Sequence, residues 1–203
     1  MQQILELDQF FMQEGKVYQT LRNVGQSLDR AGIDYCVVGG MALVMHGYVR
    51  ATQDVDLLLS PEGLAEFRKL LVGRGFVPAF QGATRMFRDA STGVLVEILI
   101  TGEFPGDGKP KPVSFPNPAV VAVDREGIQV IALTKLIELK LASGLSALDR
   151  LKDLADVQEL IRMLNLPADL VNQLDDSVQA GYSQLWNAIA QAKQRQQSEP
   201  DSF

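Results

Sequence analysis

The chain has 203 residues, of which 46% are hydrophobic, which suffices for one sizeable core with a helical appendage. Its net charge of −6 and pI near 4.8 exclude a general attraction for nucleic acid. One cysteine, Cys36, and one histidine, His46, exclude an internal disulfide and a Cys-rich or multi-His zinc site. No apolar run is long enough to span a membrane, and the N-terminus lacks a basic signal region. We therefore expect a cytoplasmic protein without a membrane partner.

The first predicted element is a helix over Ile4–Ala31, because apolar residues recur there at helical spacing. Gly15 predicts a break within it. The apolar run that follows predicts a short buried strand, Ile33–Val38, in which Cys36 packs as a small hydrophobic residue.

A glycine pair, Gly39 and Gly40, follows this strand and predicts a turn that leads into a helix over Met41–His46. Without side chains, the two glycines would let a phosphate approach backbone N–H groups at the positive helix end. His46 at the helix C-terminus is favourable there when protonated, and a role against substrate is the alternative.

The next strand carries two carboxylates, Asp54 and Asp56, at its start. Residues two apart in a strand point to the same face, so these side chains project side by side. Two such close negative charges repel unless a cation joins them, and oxygen ligands suit a hard ion such as Mg2+.

The order of these motifs resembles the nucleotidyltransferase superfamily, and within it the AbiEii-type and related minimal bacterial nucleotidyltransferases. The matching residues are Gly39, Gly40, Arg50, Thr52, Asp54 and Asp56. The resemblance implies transfer of a nucleoside monophosphate from an NTP to an acceptor with pyrophosphate release, using Mg2+ or Mn2+. It also implies that the two glycines hold the β and γ phosphates. Arg50 and Thr52 would lie near the nucleotide, with Arg50 either holding the triphosphate or pairing with an acid.

Ser60 and Pro61 predict the start of a helix that runs to about Gly73. Turn residues then separate three short extended pieces, which are Phe76–Phe80, Arg85–Arg88 and Val94–Ile100.

In the last of these pieces, Glu97 interrupts an apolar run, and a lone buried carboxylate is costly unless something compensates it. The resemblance implies that Glu97 is the third acid of the site, as a metal ligand or general base. A structural salt bridge is the alternative.

A stretch rich in Gly and Pro, from Gly102 to Pro118, predicts a long irregular loop. Beyond it, Ala119–Val123 and Ile128–Ala132 predict a hairpin. Because the chain is acidic, an RNA substrate would need a local basic patch. The alternative is that the basic residues are scattered and solvated. The candidate basic residues are Arg68, Lys69, Arg74, Arg85, Arg88, Lys109 and Lys111.

Helices are predicted from Leu133, with Thr134 as N-cap, to about Lys193. Lys152, Asp153 and Asp156 lie off the apolar stripe of these helices, which by default indicates solvated charges. The resemblance implies instead that Lys140 contacts phosphate and that Asp153 positions Lys140 or a nucleotide group. It also implies that the Lys-Asp-x-x-Asp pattern, which is Lys152, Asp153 and Asp156 here, borders the nucleotide site. Trp186 is predicted to be a packing anchor.

These elements predict an α/β fold of the nucleotidyltransferase type, with a small mixed sheet flanked by helices and helices at the C-terminus. We expect a catalytic domain at 1–132, a helical region at 133–195 and a flexible tail at 196–203.

The proposed catalytic and metal-binding residues are Asp54, Asp56 and Glu97. The acceptor is left open among an RNA such as tRNA, a protein and a small molecule, and the resemblance implies a toxin with a cognate antitoxin. The rival hypothesis is a non-catalytic module, such as an antitoxin or partner, that binds nucleotide or protein. A metal-dependent phosphohydrolase fits the glycine pair less well.

Overall fold

The structure is a computed structural model that describes residues 15–198. The parts of the predicted first helix and of the predicted tail beyond these bounds lie outside the described residues. The helices of the described part are α1 (Lys16–Ala31), α2 (Gly39–Met45), α3 (Pro61–Leu70), α4 (Pro118–Val121), α5 (Leu133–Ser146), α6 (Leu151–Met163) and α7 (Asp176–Ser198), with 3-10 turns at Leu148–Arg150 and Ala168–Gln173.

The strands form one seven-stranded mixed sheet in the order β3-β4-β5-β2-β1-β7-β6. They are β1 (Tyr35–Val38), β2 (Asp54–Leu59), β3 (Phe76–Pro78), β4 (Met86–Asp89), β5 (Leu95–Ile100), β6 (Ala122–Arg125) and β7 (Ile128–Ile131). Strand β2 runs parallel to β5 and antiparallel to β1, while β1 runs parallel to β7. The predicted class, a mixed sheet flanked by helices, is confirmed.

The central strands are the apolar runs of the sequence. Val55, Leu57, Leu58 and Leu59 of β2 are fully buried between β1 and β5. Burial of such side chains contributes about 1.5–3 kcal/mol each, which holds β2 in the middle of the sheet.

Two side-chain rows run across the sheet on opposite faces. Asp56 pairs with Glu97 and Glu97 with Met86, so these three side chains share one face, here called the carboxylate face. Val96 pairs with Phe87, one position along, and these side chains lie on the other face, here called the Phe87 face.

Helix α3 packs on the Phe87 face. Ser60 caps this helix by accepting a hydrogen bond from the Gly63 N–H at 3.0 Å, as the sequence predicted. The Phe67 ring lies 4.9 Å from the Phe87 ring and 5.4 Å from the Phe76 ring, centroid to centroid. Aromatic pairs at these separations are favourable, and they fix α3 over β3 and β4.

The chain divides into two compact units. One comprises the residues up to Glu103 together with Phe115–Leu136, and the other comprises Phe104–Ser114 together with the residues from Ile137 onward. The C-terminal unit therefore includes part of the long loop that the sequence analysis assigns to the first domain. That loop has no regular structure over residues 103–117, as predicted.

Several predicted boundaries differ from the observed ones. Residues 118–121 form a short helix rather than a strand, because the Asn117 side chain accepts a hydrogen bond from the Ala119 N–H and Pro118 occupies the first helical position. The hairpin is present, but its first strand begins at Ala122. Thr134 is the second residue of α5 rather than its cap. Helix α3 ends at Leu70, before Gly73.

Candidate active site

The candidate site is built on the pairing of β2 with β5. Asp56 lies directly opposite Glu97 in this parallel pair, and Asp54 precedes Asp56 by two residues on the same face. Neighbouring strands lie about 4.8 Å apart, and residues two apart in a strand about 6.6 Å. Three carboxylates thus start from adjacent positions on the carboxylate face.

Gly39 makes room for Asp56. Its φ is +60°, in the left-handed region that L side chains rarely adopt. A Cβ built on Gly39 would lie 2.7 Å from the Asp56 Cγ, far inside van der Waals contact. Glycine is therefore required here both by the backbone angle and by the close approach of the carboxylate.

Gly40 makes room for Thr52. A Cβ at Gly40 would lie 2.6 Å from the Thr52 Oγ1 and 3.4 Å from the Arg50 Nη2. The Thr52 hydroxyl donates a hydrogen bond to the Asp54 Oδ1 at 2.8 Å. Gly40 therefore supports Asp54 through Thr52, just as Gly39 directly admits Asp56.

This packing gives the glycine pair a second explanation beside phosphate binding. The pair forms the first turn of α2 rather than a turn before it, so the helix begins at Gly39 instead of Met41. The room that the missing side chains leave is filled by Asp56 and Thr52. Contact of these glycines with a phosphate stays a prediction.

The donor chemistry of the three carboxylates suits Mg2+. Within the described residues, no group of three His, Cys, Asp or Glu side chains is arranged as a ready metal site. Mg2+ does not require one, because it commonly binds through one or two carboxylates together with substrate phosphates and water. Asp54 and Asp56 fit that mode, with Glu97 beside them.

His46 has a structural contact. Its Nε2–H donates to the Ile131 carbonyl at 2.7 Å, and the residue is the C-cap of α2. Burial lowers the pKa of His46, although this hydrogen bond opposes the shift. The imidazole is therefore neutral at pH 7, so the favourable interaction of a protonated His46 with the helix C-terminus is not made at that pH.

Cys36 is buried in β1, where burial raises the pKa of its thiol to about 12. A thiol with so high a pKa is protonated and inert at neutral pH. The packing role predicted for Cys36 is confirmed.

In the C-terminal unit, Lys140 on α5 binds two carboxylates of α6. Its Nζ donates to the Asp153 Oδ1 at 2.9 Å and to the Asp156 Oδ2 at 2.7 Å. The Ser143 hydroxyl donates to the other Asp153 oxygen at 2.6 Å. Lys140 and Asp156 are buried, so the solvated-charge interpretation is wrong for Asp156.

Burial raises the pKa of Asp153, but the charge of Lys140 and the hydrogen bonds from Lys140 and Ser143 outweigh it. The net pKa of Asp153 is below its usual value, so the carboxylate is ionised. This geometry agrees with the predicted positioning of Lys140 by Asp153, whereas Lys152 is solvent-exposed. Contacts of Lys140, Lys152 and Asp153 with a nucleotide stay predictions.

Ser143 is the member of this cluster that sequence patterns do not single out. Asp156 is indicated by its place in the Lys-Asp-x-x-Asp pattern and by its spacing of three from Asp153, since residues at i and i+3 share a helix face. Its burial, at 3% exposure, is what the pattern does not predict. Ser143 stands three residues after Lys140 on α5, which is a signal of the same kind.

Several of the candidate basic residues have internal partners. Arg85 forms an ion pair with Glu103 at 2.6 Å. The Lys111 Nζ binds the Asp107 carboxylate, the Pro105 carbonyl and the Ser146 hydroxyl, all within the C-terminal unit. These hydrogen bonds of Lys111 thus stabilise the loop to which it belongs.

No family model and no curated protein matches the sequence. Similar solved structures include an antigenic nucleotidyltransferase-like protein from Paracoccidioides brasiliensis, at 17% identity and a TM-score of 0.47 over 71% of this chain and 75% of that one. JHP933 from Helicobacter pylori is similar at 14% identity and a TM-score of 0.46, over 88% of this chain and 93% of that one. ANT(2")-Ia, solved in complex with adenylyl-2"-tobramycin, is similar at 9% identity and a TM-score of 0.41, over 86% and 92% of the two chains.

These are similarities of chain path, and they do not assign an activity to this chain. The AbiEii-type subdivision is named by none of these three structures and stays a prediction. Among the described helices, none combines the length and apolar character that crossing a membrane requires.

Proposed function

We propose that this protein is a metal-dependent nucleotidyltransferase that moves a nucleoside monophosphate from an NTP to an acceptor hydroxyl. The observation that carries the proposal is the register of β2 with β5, which sets Asp56 opposite Glu97 with Asp54 on the same face. Three carboxylates placed together on one sheet face repel each other, and a bound divalent cation is the simplest compensation.

Asp54 and Asp56 are the proposed ligands of Mg2+. When bound, the cation would neutralise phosphate charge and polarise the reacting phosphoryl group. The Thr52 hydroxyl keeps one Asp54 oxygen engaged at 2.8 Å, which limits the orientations that this ligand adopts. Gly39 also helps to position Asp56, because the absence of a side chain at Gly39 lets the Asp56 carboxylate lie close to the backbone.

Glu97 is the proposed acceptor of the proton from the acceptor hydroxyl. As the O–Pα bond forms, the bond from Pα to the β-phosphate oxygen breaks, and pyrophosphate leaves with the electron pair. Arg50 lies beside Gly40. From there its guanidinium is suited to a triphosphate oxygen, because Arg binds phosphates through paired N–H groups.

The acceptor class and the toxin role rest on the resemblance. RNA such as tRNA, a protein and a small molecule each provide the hydroxyl that the proposed chemistry needs, and a cognate antitoxin would be a separate partner. An experiment that offers all three kinds of acceptor can identify the acceptor together with the activity.

The purified protein is incubated with each α-labelled NTP, Mg2+ or Mn2+, and total cellular RNA, protein or a metabolite extract. We expect label transfer with matching pyrophosphate release, both abolished by Asp56→Asn. This substitution removes one negative charge and a ligand while keeping the side-chain shape. The matched control is Asp34→Asn, the same change at an exposed position outside the site.

Undiminished transfer by Asp56→Asn would overturn the assignment. Nucleotide binding that requires Mg2+ without transfer to any of these acceptors would favour the non-catalytic binding module instead. Release of inorganic phosphate rather than pyrophosphate would indicate a phosphohydrolase.

A further inference from the structure

A groove lies on the Phe87 face, away from the three carboxylates. Its volume is about 480 Å3, within the range of ligand-binding clefts. Its lining includes the apolar residues Val72, Pro78 and Phe87 and the cations Arg68 and Lys69 of α3. Pro78 belongs to β3, the terminal strand of the sheet, so the groove includes part of the sheet edge.

The groove is distinct from the candidate active site. Phe87 pairs with Val96, one position before Glu97, so Phe87 and Glu97 point to opposite faces of the sheet. A ligand in the groove would therefore have the sheet between itself and the carboxylates. The proposed transfer chemistry assigns no step to Arg68 or Lys69, although both are candidates for the basic patch that an RNA acceptor would need.

The charges of the groove favour an anion. Arg68 is exposed, and Lys69 forms an exposed ion pair with Glu66 at 3.1 Å on the same helix. Exposed pairs of this kind contribute only about 0–1 kcal/mol, so a phosphate can replace Glu66 as the partner of Lys69. Because the net charge of the chain is −6, the attraction for an anion here comes from these two neighbouring cations and not from the charge of the whole protein.

An exposed aromatic residue belongs to the same hairpin. Ala83 lines the groove, and its N–H donates to the Phe80 carbonyl at 3.0 Å across the β3–β4 turn. The Phe80 side chain is 58% exposed. Phe80 thus adjoins the lining residue Ala83, and an exposed aromatic ring offers a face on which an unpaired base can stack.

We propose that this groove binds single-stranded nucleic acid, with phosphates on Arg68 and Lys69 and one base stacked on Phe80. An acidic peptide would satisfy the cations, but it would leave Phe80 without a flat partner. A duplex would satisfy the cations as well, but its bases are already stacked on each other. The combination of two cations, an apolar lining and an exposed ring on the adjoining turn therefore fits an unpaired strand best.

The test uses fluorescein-labelled RNA and DNA strands of the same sequence, about eight nucleotides long, a common site size for such grooves. Binding to the full-length protein is followed by fluorescence anisotropy over a range of salt concentrations, without NTP. We expect Arg68→Ala to weaken binding several-fold and to reduce the slope of log K against log salt by about 0.7, the value for one neutralised phosphate of a single strand. We expect Phe80→Ser to weaken it by about fivefold or more.

Three matched variants sharpen the test. Arg74→Ala removes the same charge from a nearby residue that does not line the groove, and should leave affinity unchanged. Val120→Ser removes an exposed apolar side chain elsewhere and should also be neutral. Glu66→Gln should tighten binding, because it removes the carboxylate that competes with phosphate for Lys69.

Binding of both strands supports the proposal, and a preference for RNA would point to contacts with the 2′-hydroxyl. Equal affinity for a duplex, unchanged binding by both Arg68→Ala and Phe80→Ser, or equal displacement by a polyglutamate peptide would overturn it. Because no NTP is present, the outcome is independent of the proposed transferase activity.

Discussion

At the scale of single residues, the two glycines of α2 have different tasks. Gly39 has a left-handed backbone and faces Asp56, whereas Gly40 has an ordinary backbone and faces Thr52. Each absent side chain is replaced by a group that belongs to, or orients, a carboxylate of the candidate site. Substitutions at these positions can therefore separate backbone strain from loss of packing space.

Gly39→Ala should destabilise the protein and displace the Asp56 carboxylate. Gly82→Ala is the matched control, since Gly82 has φ +84° but no atom lies within 4 Å of the position that an alanine methyl group would take. Both variants bear backbone strain of about 1–2 kcal/mol, and only Gly39→Ala adds a steric conflict. Urea unfolding measures the difference, and equal losses of stability in the two variants would contradict the role given to Asp56.

Gly40→Ala should cost about 1–3 kcal/mol through overpacking against Thr52. Adding Thr52→Ala removes the contact at 2.6 Å but keeps the residue 52 Cβ at 2.9 Å, so the double variant should regain part of the lost stability. It should not regain transferase activity, because the hydrogen bond from Thr52 to Asp54 is lost. The check is to measure unfolding and transfer in the same three proteins; recovery of both together would argue against orientation of Asp54 by Thr52.

At the scale of elements, the clearest polar connection is that between α5 and α6. Lys140 on α5 meets Asp153 and Asp156 on α6, and Lys140 and Asp156 are almost fully buried. Removing one partner of a buried pair leaves an uncompensated charge, which is usually more costly than the pair itself is stabilising. Here a second carboxylate remains when one is removed.

Asp153→Asn should lower stability at pH 7 by about 1–3 kcal/mol, since hydrogen bonds to a charged group are lost. The pKa of Asp153 is depressed below its usual 3.8, so its contribution is present above about pH 4 and disappears as the pH falls through the folded-state pKa. The difference between wild type and variant should therefore shrink in acid.

Urea unfolding across a pH series measures this effect, with Asp149→Asn as the control at an exposed position before α6. A difference that stays constant down to about pH 2, below the usual range of aspartate pKa values, would show that the ionised carboxylate is not what stabilises the two helices.

Element boundaries show where local patterns are sufficient. The caps Ser60 and Asn117 act within three residues of their own position, and Ser60 is recognisable from sequence. Asn117 is not, because the apolar residues after it also fit a strand and their periodicity does not distinguish the two. Thr134 has the chemistry of a cap, but the helix already begins at Leu133.

At the scale of the whole molecule, the sheet order brings together residues that are far apart in the chain. Asp56 and Glu97 are 41 positions apart, and they meet because β5 pairs with β2 on one side as well as with its sequence neighbour β4 on the other. A ligand that binds this arrangement and not the unfolded chain should stabilise the whole fold.

Mg2+ with a non-hydrolysable NTP analogue should therefore raise the melting temperature. At a ligand concentration about a hundredfold above Kd the gain is about 2.7 kcal/mol, or roughly 5–10 °C for a chain of this size. Chelation of the metal, or Asp56→Asn, should abolish the shift. An equal shift in the presence of EDTA would show that binding does not depend on these carboxylates.

The sequence by itself determined most of the elements, the side-by-side placement of Asp54 and Asp56, and the exclusion of an internal disulfide by a single cysteine. These features depend on residues close together in the chain, where helical or strand periodicity and capping act directly.

The tertiary structure decided the register of Asp56 with Glu97, the reason for each glycine, the neutral state of His46, and the burial of Lys140 with Asp156. It also decided which cations face a groove and which are held by internal partners. All of these depend on groups that meet only after the strands pair and the helices pack, so the free energy that fixes them comes from long-range contacts that local sequence patterns do not contain.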